Sequence, residues 1–124
     1  MTATLVCYAF LATFLKHFIF DFVLQGPYQY LNKGTYGHPG GILHSGLQGV
    51  GSFVALAWFF TNWWLLAVVC FVEFLVHYHV DWAKMNLNKY WDLRPDNSEY
   101  FWWLLGLDQL LHYLTYFGMI FVLI

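Results

Sequence analysis

Charge is scarce in this sequence. Of 124 residues only five are Lys or Arg and seven are Asp or Glu, leaving a net charge of −2. A chain without a basic field lacks the electrostatic footprint of nucleic-acid binding, so no DNA or RNA partner is expected. Cysteine is nearly absent as well: Cys7 and Cys70 each lie inside an apolar run, which argues against a disulfide framework or a CxxC motif and leaves both to pack as small hydrophobes. There is no internal repeat, no low-complexity tract and no glycine-rich phosphate cradle followed by Lys-Ser/Thr. What the chain has instead is 60% hydrophobic and 23% aromatic residues, the composition of a membrane protein.

A membrane helix needs about 20 mostly apolar residues, and the sequence divides into four such segments, near residues 3–25, 42–60, 63–80 and 101–124. The expected fold is therefore all-α, a single integral membrane bundle of four transmembrane helices. The first segment lacks a basic leader and a small-residue cleavage site and carries Lys16, His17 and Asp21, so it reads as a retained span rather than a signal peptide. Gly26, Pro27, Gly34, Gly37, Pro39, Gly40 and Gly41 break the chain between spans one and two, whereas only a turn at Thr61-Asn62 separates spans two and three. The third connection, about residues 81–100, holds Asn86, Asn88, Asp92, Pro95, Asp96 and Asn97 and reads as a polar loop with room for a short interfacial helix; Ser98 or Asn97 is placed to cap the fourth span.

Four spans put both termini on one side and both long loops on the other, with Lys33, Lys84, Lys89 and Arg94 on the loop side. The positive-inside rule then makes the loops cytoplasmic and the termini external. Trp58, Trp63 and Trp64 would form the outer aromatic belt, and Trp82, Trp91, Trp102 and Trp103 the inner one.

Intramembrane ionisable groups are costly and mark functional sites by default. Here they follow helical spacing: His17, Asp21 and Gln25; His44 and Gln48; Glu73, His77 and Asp81, with Lys84 two turns beyond His77; and Asp108 with His112, beside Gln109. At about 1.5 Å rise per residue the clusters on all four spans fall at overlapping depths below one surface. Imidazoles and carboxylates converging from several helices suit a divalent metal, with zinc the leading candidate. The candidate ligands are His17, Asp21, His44, His77, Asp81, Asp108 and His112, too many for one tetrahedral ion, so either two ions are held or some carboxylates orient histidines. A small-residue stripe at Ser45, Gly49, Gly51 and Ala55 would let a neighbouring helix approach closely. Buried His-Asp pairs also occur as plain interhelical hydrogen bonds, and on that reading the cluster only fixes packing. His79 points away from the His77 stripe, His38 belongs to a glycine-rich loop, Lys16 is offset and free to pair with a carboxylate, and Glu73 is deeper than the rest, a proton relay or an interhelical bond.

The stretches H-x-x-x-D-F-x-L-Q (His17, Asp21, Phe22, Leu24, Gln25), the early His44, H-x-x-x-D-W-x-K (His77, Asp81, Trp82, Lys84) and D-Q-x-x-H (Asp108, Gln109, His112) resemble the small polytopic proteins of bacteria and phages grouped as domain of unknown function 3307. The resemblance covers nearly the whole chain. It implies an integral inner-membrane protein, often phage-encoded, with a fold and a polar cluster but no settled reaction.

The leading functional expectation is a metal-binding membrane protein, and the activity such a centre would support is that of a hydrolase of a lipid-linked or phosphorylated substrate at the cytoplasmic leaflet. In it Asp81 or Asp108 serves as general base and Lys84 stabilises developing negative charge. Two other classes use the same residues: a proton or ion conduit, for which the apolar outer half offers no complete path in a monomer, and a structural or assembly subunit, as a homo-oligomer or in a larger membrane complex.

Overall fold

A computed structural model describes all 124 residues, as helices and connections without a strand. Helix α1 (Ala3–Phe18) is capped by the Thr2 hydroxyl, which accepts from the Leu5 amide. It runs into one wide π-helical turn, Ile19–Val23. The short α2 (Pro27–Tyr30) follows, then α3 (Pro39–Leu56), α4 (Trp63–Tyr90) and α5 (Glu99–Leu123). The four long helices close a ring: α1 packs on α3, α3 on α4, α4 on α5 and α5 back on α1. Helices α1 and α4 therefore face each other across the bundle axis.

The helix limits depart from the sequence reading in two places. Pro39, Gly40 and Gly41, read as helix breakers, form the first turn of α3. Proline is favoured there because its missing N–H would be unpaired anyway, and the His38 ring caps the turn by accepting from the Gly40 amide at 3.0 Å. Helix α4 continues ten residues past Val80, through most of the segment read as a polar loop. Its inner face there still has partners to bury: Asp81 meets Lys33, and the Asn86 amide donates to the Gly34 and Trp82 carbonyls, both at 2.8 Å. The helix stops where Asp92 takes a left-handed conformation (φ 48°). Ser98, one of the two expected caps, accepts from the Tyr100 amide at 3.2 Å; Asn97 instead holds the loop, bonding Asp92 and Arg94.

The small-residue stripe of α3 is used on two sides. A Cβ on Gly49 would lie 3.0 Å from the Cys70 carbonyl oxygen of α4, and one on Gly51 would meet Phe20 at 2.7 Å and the Lys16 stem at 3.0 Å. Glycine is thus what lets α3 sit against both neighbours.

The distribution of polarity is inverted relative to a water-soluble bundle. The interior holds fourteen buried polar or charged side chains against ten hydrophobic ones, while large apolar side chains such as Trp58 (87% exposed), Trp64 (81%) and Phe121 (73%) cover the outside. The buried hydrophobics gather at the end carrying the α3–α4 turn, where Ala9, Leu56, Leu66, Met119 and Ile120 pack together. The polar groups fill the other half. Two helices, Ala3–Val23 and Trp63–Tyr90, are long and apolar enough to cross a membrane. Helices α3 and α5 have the length but fall short in hydropathy. Gly, Ser, Gln and His dilute α3, and Trp, Tyr, His and Asp dilute α5.

Candidate metal centre

The π-turn is the local feature that sets the site. It widens the backbone at Ile19–Val23 so that Asp21, at its centre, turns its carboxylate into the bundle. Such single wide turns recur at functional sites. Helix α3 supplies His44, α4 supplies His77 and Asp81, and α5 supplies Asp108 and His112; every one of these five is at most 3% exposed.

These side chains form two groups. In the first, Asp21, His44, His77 and Asp81 bring one ligand atom each into a common space. His44 Nε2 lies 2.9 Å from Asp21 Oδ1, 3.1 Å from Asp81 Oδ2 and 3.1 Å from His77 Nε2, and His77 Nε2 lies 3.6 and 3.5 Å from the same two oxygens. A tetrahedral ion with bonds of about 2.1 Å has ligand–ligand edges of roughly 3.4 Å, the size of these separations. The second group is Asp81, Asp108 and His112. Here His112 Nε2 is 3.4 Å from Asp81 Oδ1 and 3.5 Å from Asp108 Oδ1. Asp81 belongs to both, facing the first with Oδ2 and the second with Oδ1.

Proton counting sharpens the picture. The Gln29 amide oxygen, which only accepts, sits 3.1 Å from His44 Nδ1, so Nδ1 carries a proton and Nε2 is the atom turned toward the cluster. His44 Nε2 faces two carboxylate oxygens and a second imidazole. Only a positive charge among them, a proton or a metal ion, holds four such atoms so close. In the second group all three converging atoms, Asp81 Oδ1, Asp108 Oδ1 and His112 Nε2, are buried with no hydrogen-bond partner. Buried polar atoms are otherwise almost always paired. His77 Nδ1 also lacks a partner; its ring is held by a stack on His112, with centroids 3.9 Å apart and planes at 20°.

His17 stands outside both groups, 3.5 Å from Asp21 Oδ2, because both of its ring nitrogens are engaged. Nε2 donates to Gln109 Oε1 at 2.9 Å and Nδ1 accepts from the Tyr116 hydroxyl at 2.9 Å. The Gln109 amide then donates to Asp108 Oδ2 at 3.0 Å and reaches Asp21 Oδ2 at 3.4 Å. His17 and Gln109 thus orient the two carboxylates. Deeper in the bundle, Lys16 pairs with Glu73 at 2.7 Å and also donates to Gln48 Oε1 (2.9 Å) and Tyr116 (3.0 Å), while Gln48 donates to Asp21 Oδ1 at 3.2 Å. Glu73 is the partner for the offset Lys16.

Lys84 lies 3.6 Å from Asp108 Oδ2. Lys33 is buried against Asp81 at 3.1 Å. Burial works to lower the pKa of Lys33, but the charges of Asp81, then Asp21, outweigh it and hold the pKa above the ordinary lysine value. Sequence reasoning counted Lys33 only as a loop charge and passed over Gln29 and Tyr116 altogether. Tyr116 continues the Asp108–His112 stripe of α5 four residues on, so its spacing did carry a signal, whereas Gln29 and Lys33 lie in the segment between α1 and α3 and share no long-helix stripe. His79 faces outward to Tyr36, and His38 caps α3.

Residues 9–123 match the family described as protein of unknown function, DUF3307. The chain belongs to that family. No curated protein and no solved structure matches it. In this family member Asp21, His44, His77 and Asp81 form one buried group that could hold a metal ion and Asp81, Asp108 and His112 another, with His17 beside them rather than in either.

Proposed function

We propose that this DUF3307 protein is a four-span membrane protein of inner-membrane type whose helices enclose a centre for two divalent ions, and that the centre hydrolyses a phosphorylated substrate at the surface carrying the long loops. The observation that carries the reading is the trio of orphaned ligand atoms, Asp81 Oδ1, Asp108 Oδ1 and His112 Nε2. Four protein ligands close a metal site, whereas three leave a position for water or substrate. The first group is of the closed kind and the second of the open kind, with Asp81 between them.

The polar interior and apolar exterior support the bilayer as surroundings. In α3 the polar residues that dilute hydropathy, His44, Ser45, Gln48 and Ser52, are turned inward, as are Asp108 and His112 of α5, while the Trp102, Trp103 and Tyr113 rings of α5 face outward. A divalent ion at the open group would lower the pKa of a bound water toward neutrality. Asp108 is the general base we favour. Asp81 would give both oxygens to the ions, one to each group, while Asp108 Oδ2 faces only Gln109 and Lys84. It takes the proton as water oxygen bonds to phosphorus, the ester P–O bond breaks, and the departing alcohol oxygen is protonated in turn. Lys84 lies where it offsets charge gathering on the phosphoryl oxygens.

Elemental analysis of detergent-purified protein, beside a His77→Ala, His112→Ala double variant, tests the centre. Near two equivalents of transition metal in the wild type and none in the variant are expected. A folded wild type that takes up no zinc or manganese on dialysis would overturn the reading. Phosphate release from phosphomonoesters, abolished by a chelator and restored by metal, tests the reaction.

A further inference from the structure

Four of the five cationic side chains of the chain, Lys33, Lys84, Lys89 and Arg94, line a single cavity of about 520 Å³ between the α2 loop and the α4–α5 connection. Two of them lie against the metal-centre carboxylates: Lys33 forms an ion pair with Asp81 at 3.1 Å and Lys84 approaches Asp108 at 3.6 Å. The other two stand at the exposed rim, where Asp92 (3.4 Å) and Asp96 (3.6 Å) partly offset Arg94. The same walls carry Gln25 Oε1 and Asn88 Oδ1, buried acceptors with no hydrogen-bond partner, suited to the hydroxyls of a ligand.

Leu93 lines this cavity and also a second one of about 590 Å³, walled only by hydrophobic residues including Trp91, Tyr100 and Trp103. A groove of about 260 Å³ joins them along α4 and α5. It shares Leu104 and Leu107 with the apolar cleft and Lys84 with the basic cavity, and it reaches Asp108. Both large cavities have the size of ligand sites. A basic head site, an apolar tail site and a groove past Asp108 describe an amphiphile with a phosphate at one end.

We propose that this paired cavity binds a lipid carrying a terminal phosphate, the phosphate between Lys84 and the rim cations and the hydrocarbon chain along Trp103 and Leu107. The inference rests on the metal-centre reading in one respect. Two divalent ions against Asp21, Asp81 and Asp108, with Lys33 and Lys84 alongside, leave three unbalanced positive charges in a low-dielectric setting, which a phosphate dianion would counter.

Native mass spectrometry of the full chain in detergent tests it, with phosphatidic acid, diacylglycerol of the same chains and inorganic phosphate as probes and metal content measured on the same samples. One equivalent of phosphatidic acid is expected to bind at least about tenfold more tightly than either other probe. The Lys89→Ala, Arg94→Ala variant, altered only at exposed positions, should lose about tenfold for phosphatidic acid and nothing for diacylglycerol. Trp103→Ser should weaken phosphatidic acid and leave inorganic phosphate unchanged. Equal binding of phosphatidic acid and diacylglycerol would overturn the phosphate site. Equal binding of phosphatidic acid and inorganic phosphate would overturn the tail site. Metal-loaded protein without lipid preference sinks this inference alone, whereas lipid preference in a protein that takes up no metal sinks only the metal centre.

Discussion

Asp81 is the residue whose loss separates one shared centre from two independent sites. Its two oxygens face different groups of ligands, so Asp81→Asn should weaken both ions, whereas Asp21→Asn should weaken only the four-ligand group and Asp108→Asn only the three-ligand one. A closed protein zinc site is worth about 10–16 kcal/mol. One ligand in four therefore accounts for roughly 3 kcal/mol, about a hundredfold in affinity. At a free zinc concentration tenfold above the wild-type Kd, a site losing a hundredfold falls from about 90% to about 10% occupancy. Equilibrium dialysis followed by elemental analysis should then give two equivalents for the wild type, one each for Asp21→Asn and Asp108→Asn, and close to none for Asp81→Asn. The last change also strands Lys33, 6% exposed and 3.1 Å from the lost carboxylate, at a cost of about 3–5 kcal/mol. Asp81→Asn with Lys33→Met removes the stranded charge, so its metal content reports coordination rather than unfolding. A Lys33→Met, Asp81→Asn protein that is folded and still retains one full equivalent would refute the bridging role.

Gln29→Ala frees the His44 ring without touching a ligand atom, and loss of such an orienting partner costs about 10–100-fold in metal affinity; zinc titration should register it while thermal melting stays close to wild type. Lys16→Met leaves Glu73 buried and unpaired and should cost about 3–5 kcal/mol, with Lys16→Met, Glu73→Leu recovering most of it; melting in detergent reads the pair, and metal stoichiometry should not change in the double variant. A cysteine at the exposed Asp96, in a background with Cys7 and Cys70 replaced by Ala, should react with an impermeant thiol reagent only after the cytoplasmic face is opened; labelling of intact cells would reverse the orientation.

The helices were legible because apolar length and glycine or proline punctuation are local properties. The exceptions arise where tertiary contacts override them. A Pro-Gly-Gly run looks like a breaker in isolation, yet it starts α3: proline suits the first turn, and the glycines make room for the α2 loop packed on it. The polar stretch after Val80 looks like a loop because it would be wasteful as a lipid-facing helix. It stays helical because Asp81, Lys84 and Asn86 each find a partner from another segment, which no window of sequence displays.

The same division runs through the cluster. Ligand-type residues on one helix face betray themselves by i, i+4 spacing, and that is how Asp21, His44, His77, Asp81, Asp108 and His112 could be named together. Spacing on one helix says nothing about which atoms of a group remain free. His17 shares the stripe of Asp21 and has the right chemistry, yet Tyr116, ninety-nine residues away, and Gln109 take both its nitrogens. Gln29 and Lys33, from a segment that sequence marks only as irregular, hold the His44 ring at Nδ1 and lie against Asp81, respectively. A ligand is distinguished from its orienting neighbour by the hydrogen bonds it does not make. In the first group only Asp81 Oδ2 of the converging atoms is without a hydrogen bond, whereas in the second Asp81 Oδ1, Asp108 Oδ1 and His112 Nε2 all are, which makes the second group, rather than the more crowded first, the place where chemistry should be sought.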